Sequence, residues 1–469
     1  MVTRQGNRPH FYALPSYLLA AVAVLTVWRQ LGAPAMVGYL SELLLIGFLV
    51  LAWPRLSAMA RLLLLACGAV SLLAIWRSQA PLAVLHEAAG SFAFLAAFMT
   101  ALALLRLPAY RSRLIRRCGK SLLLQPPGWR YPMLSVGSTL FGIVLNFGVL
   151  NLFMSMIEKA NTLGAAQGRV WVQRVRRRRM LLATLRGFTL APLVSPLGIG
   201  VAVVLGNLSE LQWRELFPYV LAAATLLFLL GWLCDYLAGP RPGRQAVVKG
   251  RPTLWPLLHF SLLLSALMGL VFTIASWLSL RLPQAVLVGV PLGAWLWLAW
   301  QCRRQGAAGI LPSAVVLGRR LPGLLGSIGN EVVALGAGAY LGYLSVVLMD
   351  PAQLAEVAAL LIELGSWLPL LALLLIVALA QIGVNPIISV TFLTSMVSQV
   401  SLPGVSLPLL AAAMLVGWSL TMVSSPFTAA MMIMSRFTGM SAGHIGLRWN
   451  GIFLAASLAA AALVLRFVS

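Results

Sequence analysis

Acidic residues are scarce in this sequence, which has 10 Asp and Glu among 469 residues, against 34 Lys and Arg. All charged residues together make up only 9% of the chain, whereas 61% of the residues are hydrophobic and the mean hydropathy is +0.94. A soluble domain needs a polar surface to cover its core, and a chain this poor in charge cannot supply one. The composition therefore excludes an ordinary soluble protein and predicts an integral membrane protein.

Cysteine and histidine are also rare, with four residues of each type. The cysteines are scattered, show no CxxC spacing and have no His partners, so neither a disulfide framework nor a zinc site is predicted. No GxxxxGK[ST] sequence occurs, which excludes ATP as a direct energy source within this chain. No basic domain with interleaved aromatic residues stands apart from the apolar runs, so nucleic-acid binding is not expected. We expect no cofactor and no metal.

Long apolar runs are abundant. Repeated windows of about 20 residues are long enough to cross a hydrocarbon layer of roughly 30 Å as α-helices. The short alternating segments of a transmembrane β-barrel are absent. The first run follows Arg4, Arg8 and His10 without a convincing small-residue cleavage site, which predicts a retained first helix.

Positive charge predicts the orientation of the chain, because short loops rich in Lys and Arg stay in the cytoplasm. Basic loops are predicted at 106–130, 169–179, 241–251 and 303–320. The stretch 350–365 carries acids but no Lys or Arg, which predicts a surface-lying helix on the external side. The expected location is a bacterial inner membrane, with the N-terminus in the cytoplasm and the C-terminus outside.

Two apolar stretches do not fit single crossings. If 132–157 crossed once, the basic loops before and after it would lie on opposite sides, whereas a hairpin that turns within VLNFGVLN keeps both inside. The run 367–400 is too long for one span and is interrupted by QIGVNPI, which predicts a second hairpin that enters from outside. Such irregular backbone is tolerated in a membrane only when it is buried in protein or lines a wet cavity.

Two segments with a Ser-Pro pair follow these hairpins. FTLAPLVSP at 188–196 and WSLTMVSSP at 418–426 align without gaps. Proline removes a backbone donor and clashes with the preceding turn, so each segment predicts a broken helix, one within 181–206 and one within 406–434. A hairpin followed by a broken helix thus occurs twice, in opposite orientations.

The expected fold class is therefore an all-α polytopic membrane protein with about eleven spanning helices and two re-entrant hairpins, in two repeats of inverted topology. Four segments are predicted. They are N-terminal scaffold helices at 1–130, a first repeat core at 131–252, second-repeat scaffold helices at 253–349, and a second repeat core with the last helix at 350–469.

The hairpin tips and helix breaks provide candidate binding groups. Opened backbone and nearby hydroxyl oxygens suit a hard cation such as Na⁺, and the positive ends of half-helices suit an anion. The candidates of the first half are Asn146, Gly148, Thr189, Ser195, Pro196 and Gly198. The candidates of the second half are Gln381, Gly383, Asn385, Pro386, Ser419, Thr421, Ser424, Ser425 and Thr428. The alternative is that each Ser-Pro pair only bends a packed helix.

Two charged residues require an explanation in or near predicted spans. Glu331 is a candidate proton carrier, because a carboxylate within a membrane is costly; alternatively it lies near the cytoplasmic end, hydrated or paired with Arg319 or Arg320. Arg186 precedes the first break. It either meets an anionic substrate or, as the sequence favours, extends to the cytoplasmic interface.

The order of elements over roughly residues 130–467 resembles the ion transporter superfamily, and within it the divalent anion/sodium symporter family. In that family Ser-Asn-Thr motifs at the hairpin tips bind Na⁺ and a substrate carboxylate. Asn146 in LNFG and Asn385 in GVNP match the Asn of this motif. The segment 439–454 resembles the family's return into its last helix. The resemblance implies elevator transport, in which each hairpin and broken helix move together against a scaffold, usually in a homodimer.

The expected function is secondary active transport of a small anionic organic solute, coupled to Na⁺ or H⁺, by a membrane protein that is not an enzyme and is surrounded by membrane lipids. A membrane enzyme acting on lipid-linked sugars is an alternative, but such enzymes usually need a large external loop carrying catalytic Arg, His or Asp. A lipid flippase built on the same repeats is the other alternative.

Overall fold

The computed structural model describes residues 13–238, 253–306, 309–400, 402 and 404–468. Every regular element in these ranges is a helix, and ten helical stretches are long and apolar enough to cross a membrane. Large apolar side chains lie fully on the outside, as in Trp76 and Leu82, which are 81% and 83% exposed. Such surfaces suit lipid rather than water. The chain is thus an all-α polytopic membrane protein.

Ten α-helices lie before residues 239–252, which are outside the described ranges and include the predicted basic loop 241–251. They are α1 (Leu14–Gln30), α2 (Ala35–Ala52), α3 (Ala58–Arg77), α4 (Pro81–Arg111), α5 (Arg113–Leu123), α6 (Pro127–Leu145), α7 (Gly148–Ala160), α8 (Val170–Val194), α9 (Ile199–Asn207) and α10 (Trp213–Ala238).

Ten α-helices follow residues 239–252. They are α11 (Trp255–Trp277), α12 (Leu282–Cys302), α13 (Ile310–Gly326), α14 (Gly329–Val347), α15 (Pro351–Leu364), α16 (Leu368–Gln381), α17 (Pro386–Val397), α18 (Leu407–Ser424), α19 (Ala429–Thr438) and α20 (Gly451–Val468). A π-helical segment, His444–Trp449, precedes α20.

The chain forms two compact units, each built from two separate segments. Unit 1 comprises Met1–Arg111 and Leu270–Asp350, and unit 2 comprises Ser112–Gly269 and Pro351–Ser469. The predicted scaffold and core segments remain a prediction, because compactness does not show which part of a protein moves.

Unit 1 is organised around the long helix α4, which packs against α1, α2, α3, α12, α13 and α14. Its paired charges lie between helices. Glu42 of α2 contacts His86 of α4 at 2.8 Å and Arg29 of α1 at 3.6 Å. These pairs neutralise charge inside a bundle of apolar helices, where an unpaired ion is costly.

Unit 2 contains both predicted hairpins and both broken helices. The hairpin 132–157 is α6 and α7, and the hairpin 367–400 is α16 and α17. The first broken helix is α8 followed by α9, and the second is α18 followed by α19. The turns and breaks lie where the Asn residues and Ser-Pro pairs predicted them.

The two repeats exchange partners. Within each repeat the first hairpin helix packs against the first half of the broken helix, α6 on α8 and α16 on α18. Between repeats, α7 packs against α19, α9 packs against α17, and α8 packs against α18. Reciprocal contacts of this kind are those of two copies related by an approximate twofold axis, as inverted repeats are.

Three predicted basic loops are wholly or partly helical. The loop 106–130 contains α5, the loop 169–179 is the beginning of α8, and the loop 303–320 contains most of α13. In α5 the residues Arg113, Arg116, Arg117 and Lys120 are exposed on one face, while Ile115, Cys118 and Leu122 are buried on the other. An exposed helical face can carry as many Arg residues as a loop does, so the density of charge alone does not distinguish the two and led to the prediction of loops.

Candidate functional site

A glycine marks the place where each hairpin crosses its own broken helix. Gly187 of α8 and Gly417 of α18 directly precede the two aligned Ser-Pro segments. A Cβ on Gly187 would overlap the backbone of Ser135 in α6, and a Cβ on Gly417 would lie 3.1 Å from the Leu373 carbonyl oxygen in α16. The missing side chain lets two backbones approach closely in both repeats. Sequence reasoning missed these glycines, although the ungapped alignment reaches them when it is extended by one residue.

Hydroxyl groups of α6 attach the first hairpin to α8. Ser138 Oγ donates to the Thr184 carbonyl oxygen at 2.7 Å, and Thr139 Oγ1 donates to the Gly187 carbonyl oxygen at 2.7 Å. Both bonds lie about two helical turns before the tip of the hairpin. The first hairpin is therefore held along its stem.

The tip of the first hairpin turns at Asn146, which has a φ of 51° and a ψ of −135°. Residues other than glycine seldom adopt this conformation, and such strain is concentrated at functional sites. The half-buried Asn146 side chain makes no hydrogen bond to the described residues. Phe147 beside it packs against Phe188 with ring centroids 5.4 Å apart, and Gly148 begins α7. The turn thus presents a carboxamide whose polar atoms are unused.

The first break is a short local turn between α8 and α9. Ser195 Oγ accepts a hydrogen bond from the Leu197 backbone N–H at 3.1 Å, and the Ser195 carbonyl accepts one from Gly198 at 2.9 Å. Ser195 and Pro196 are both buried. The break therefore satisfies its own backbone and makes no side-chain bond to the hairpin tip within the described residues.

The second tip is hydrogen-bonded to the second break. Gln381 Nε2 donates to Ser424 Oγ at 3.0 Å, and Ser425 Oγ donates to the Ala380 carbonyl oxygen at 2.6 Å. Ser424, Ser425 and Ala380 are buried. Two bonds inside an apolar core hold the end of α16 against the end of α18.

The second tip turns at Gly383, whose φ of 99° is accessible to glycine at no steric cost. Asn385 follows with an extended backbone, and its Oδ1 accepts a hydrogen bond from the Ile387 N–H at 3.0 Å. Asn385 is thus the N-cap of α17, with Pro386 in the first turn. Its carboxamide oxygen already has a structural role, unlike that of Asn146.

The two broken helices are connected by a hydroxyl at their crossing. Ser419 Oγ of α18 donates to the Thr189 carbonyl oxygen of α8 at 2.6 Å. Thr189, Thr421 and Thr428 each donate to the carbonyl three residues earlier in the chain. The structure therefore brings the Ser and Thr candidates of both halves into one unit and engages each of them in a hydrogen bond to nearby protein.

Four buried Ser and Thr hydroxyls have no hydrogen-bond partner among the described residues. They are those of Ser135 on α6, Ser389 and Thr391 on α17, and Ser457 on α20. Ser389 and Thr391 lie about one and two helical turns after the N-cap Asn385. Buried polar groups are nearly always paired, so these oxygens are available to a ligand. Sequence reasoning missed Ser389 and Thr391 because the segment ISVTFL has the composition of an ordinary apolar helix.

Glu331 belongs to unit 1, in the first turn of α14. Its carboxylate contacts Arg106 of α4 at 3.0 Å, rather than Arg319 or Arg320 as the sequence suggested. Arg106 is distant in sequence, so only the packing of α4 against α14 could reveal this pair. A proton-carrying role for Glu331 remains a prediction.

Arg186 does not extend to the interface as the sequence favoured. Its side chain is buried in unit 2, where its Nε donates to Asn450 Oδ1 at 3.0 Å. Its Nη1 donates to the Gly231 carbonyl oxygen at 3.3 Å, and its Cζ lies 4.6 Å from the centre of the Phe453 ring. These partners come from α10 and from the end of the chain, and together they hold the guanidinium inside the protein.

Comparison with known proteins defines the fold. No family model matches the chain, and no curated protein matches it. The crystal structure of the YdaH transporter of Alcanivorax borkumensis is similar, with a TM-score of 0.52, and the match covers 87% of this chain and 98% of that chain. Since only 14% of the residues are identical, the likeness shows a shared fold.

Proposed function

We propose that this chain is an ion-coupled secondary active transporter for a small anionic organic solute in a bacterial inner membrane. The observation that carries the proposal is the exchange of partners between the repeats, which unites both hairpins and both broken helices in unit 2. Paired hairpins and broken helices of inverted topology form solute sites in secondary transporters. The fold shared with a solved transporter supports the same function.

Four helices begin at the tips and breaks, and their N-terminal ends favour an anion. These helices are α7, α9, α17 and α19. Only α17 has a side-chain cap, from Asn385, whereas Phe147, Gly198 and Thr428 form no side-chain cap bond at the other three. Backbone N–H groups at uncapped helix ends bind carboxylate and phosphate oxygens. This supports an anionic solute over a cationic one.

Coupling to Na⁺ or H⁺ and an elevator movement of unit 2 complete the proposal. The hydroxyls of Ser389 and Thr391 and the Asn146 carboxamide are oxygen ligands of the kind that a hard cation prefers. Unit 2 is compact and holds both halves of the proposed site, as a body that carries its solute must. We expect a homodimer, with the N-terminus in the cytoplasm and the C-terminus outside.

Reconstitution tests the proposal. The full chain in proteoliposomes is expected to accumulate radiolabelled organic anions from a broad panel when a Na⁺ or H⁺ gradient is imposed. Collapse of that gradient should stop the accumulation. Absence of flux and of binding across the panel, under every gradient, would show that the chain is not such a transporter.

Two variants test the site without disturbing the local backbone. Asn146→Gly keeps the positive φ, and Asn385→Ser keeps an N-cap, so each removes only a carboxamide. A lost hydrogen bond to a charged ligand is worth about 1.5–3 kcal/mol, which corresponds to roughly a 10- to 100-fold loss of apparent affinity. Asn151→Ala, at an exposed position of α7, is the control. Wild-type flux in both tip variants would remove Asn146 and Asn385 from the site.

A further inference from the structure

Arg186 is unusual among the charged residues of the chain. In the described ranges only Arg186 and Asp235 are charged and buried, with 6% and 9% of their surfaces exposed. Asp235 is neutralised by Arg179, which donates to its two carboxylate oxygens at 2.9 and 2.6 Å. Arg186 forms no salt bridge to any described carboxylate. A buried guanidinium without a counter-charge is costly, and a charge inside a membrane protein is a functional candidate.

The guanidinium of Arg186 has unused donors. Of its five N–H bonds, one is used by Asn450, one by Gly231, and a third faces the Tyr131 hydroxyl oxygen, which leaves two without an acceptor among the described residues. A guanidinium edge with free N–H bonds matches the two oxygens of a carboxylate or phosphate group.

The Tyr131 hydroxyl lies beside this guanidinium. Tyr131 is 3% exposed, and its hydroxyl proton has no acceptor among the described residues. The hydroxyl rests against Gly231, where a Cβ would overlap it. A buried hydroxyl proton without an acceptor costs free energy, and an oxyanion bound to Arg186 would accept this proton in a hydrogen bond.

The surroundings connect Arg186 to both broken helices. Its own carbonyl accepts the Thr189 hydroxyl, and the Thr189 carbonyl accepts Ser419 of α18. On the other side, Asn450 follows the π-helical segment in which Gly446 packs directly against the Ser424 carbonyl of the second break. A ligand bound to Arg186 would therefore lie next to groups that contact both broken helices.

We propose that Arg186 and the Tyr131 hydroxyl form an oxyanion-binding site that receives the carboxylate or phosphate group of the transported solute. This inference rests on the proposed function and deepens it, because it names the group that the site recognises. Phe453 covers one face of the guanidinium, so the anion binds at its edge. The neutral amide of Asn450 orients the side chain and leaves its charge available.

Thermal unfolding of the purified full chain in detergent tests the site. Acetate and inorganic phosphate, each titrated against chloride at constant ionic strength, are the probes. The wild-type unfolding temperature is expected to rise with at least one oxyanion, because a ligand that binds only the folded state stabilises it. A rise with acetate assigns a carboxylate to the site, and a rise with phosphate assigns a phosphoryl group.

Variants separate binding from structure. Tyr131→Phe removes a hydroxyl whose proton has no acceptor among the described residues, so we expect a folded protein whose apparent oxyanion affinity falls about 10-fold. Arg186→Lys keeps the charge but loses the planar fork, and we expect a loss of similar or larger size. Arg186→Gln should abolish the response. The exposed Arg448, in the adjacent π-helical segment, supplies the matched control Arg448→Gln, which should respond like the wild type.

The outcomes distinguish this inference from the transport proposal. An oxyanion response that is absent in the wild type, or equal in wild type, Tyr131→Phe and Arg186→Lys, overturns the site even when proteoliposomes show flux. A response that the variants weaken supports the site even when no flux is found. In that case transport, and not oxyanion recognition, is the part that fails.

Discussion

The two repeats of unit 2 share a sequence pattern and use it differently. In the first repeat the hairpin is hydrogen-bonded along its stem, through Ser138 and Thr139, and its tip at Asn146 is strained and unbonded. In the second repeat the tip is bonded to the break through Gln381 and Ser425. Equivalent positions are thus left without hydrogen bonds at the first tip and are bonded to the break at the second, so the two repeats present different tips.

The largest expected effect is a loss of stability when alanine replaces the glycines at the two helix crossings. Gly187→Ala would place a Cβ on the Ser135 backbone, whereas Gly417→Ala leaves 3.1 Å to the Leu373 carbonyl oxygen. Overpacking of this kind costs about 3 kcal/mol in the first repeat and about 1 kcal/mol in the second. The unfolding temperature in detergent should therefore fall much further for Gly187→Ala.

Gly318 of α13 provides the control for this pair, because nothing lies within 4 Å of the position of its Cβ. Gly318→Ala should stabilise the protein slightly, since alanine favours the helix. Equal losses at Gly187 and Gly417 would show that the two crossings are equally tight, contrary to the structure.

The next effect concerns the serines of the two breaks. Ser425→Ala removes the bond to the Ala380 carbonyl that joins α18 to α16, and also the local bond from the Phe427 N–H, at a cost of about 1.5 kcal/mol. Ser195→Ala removes only a local bond to Leu197, at a cost of about 0.5 kcal/mol. Hydrogen exchange should accelerate around residues 378–386 in Ser425→Ala, with no such change at the first tip in Ser195→Ala. Equal exchange in both variants would contradict a fastened second tip.

The smallest expected effect is the difference in stability between two variants in which serine replaces the Asn at either tip. Asn146→Ser places a residue that disfavours positive φ at the first tip and costs about 1 kcal/mol. Asn385→Ser preserves the N-cap and costs only about 0.2 kcal/mol. The unfolding temperatures of the two variants report the difference. The reverse order would mean that the first tip does not depend on its backbone conformation.

Much of this architecture was predictable from the sequence, because apolar runs, Pro and basic residues act over short distances. The hairpins, the breaks and Asn146 and Asn385 as tip residues follow from such signals. The helices α5 and α13 were missed because Arg on an exposed helical face resembles a loop. A helical spacing was nevertheless visible in α5, where the exposed cations recur at intervals of three and four residues.

What the sequence could not reveal depends on partners far apart in the chain. Arg186 was expected at the interface, but its acceptor Asn450 lies 264 residues away and holds it inside. The different roles of Asn146 and Asn385 arise from a φ angle and from a bond to a neighbouring N–H, and neither follows from residue identity. Long-range packing decides such details, as it does for side-chain orientation generally.

The exchange of partners also sets an order of events during synthesis. Helix α7 ends at Ala160, and the helix it packs against, α19, begins at Ala429, which is 429 − 160 = 269 residues later. At about 5–20 residues per second, the ribosome needs roughly 13 to 54 seconds to make the missing partner. Until then the first hairpin is without a neighbour that its final position requires. During that interval, lipid or the insertion machinery must contact the surface of the first hairpin that α19 later covers. The first repeat is therefore inserted before its partner, although the two repeats are equivalent in the finished fold.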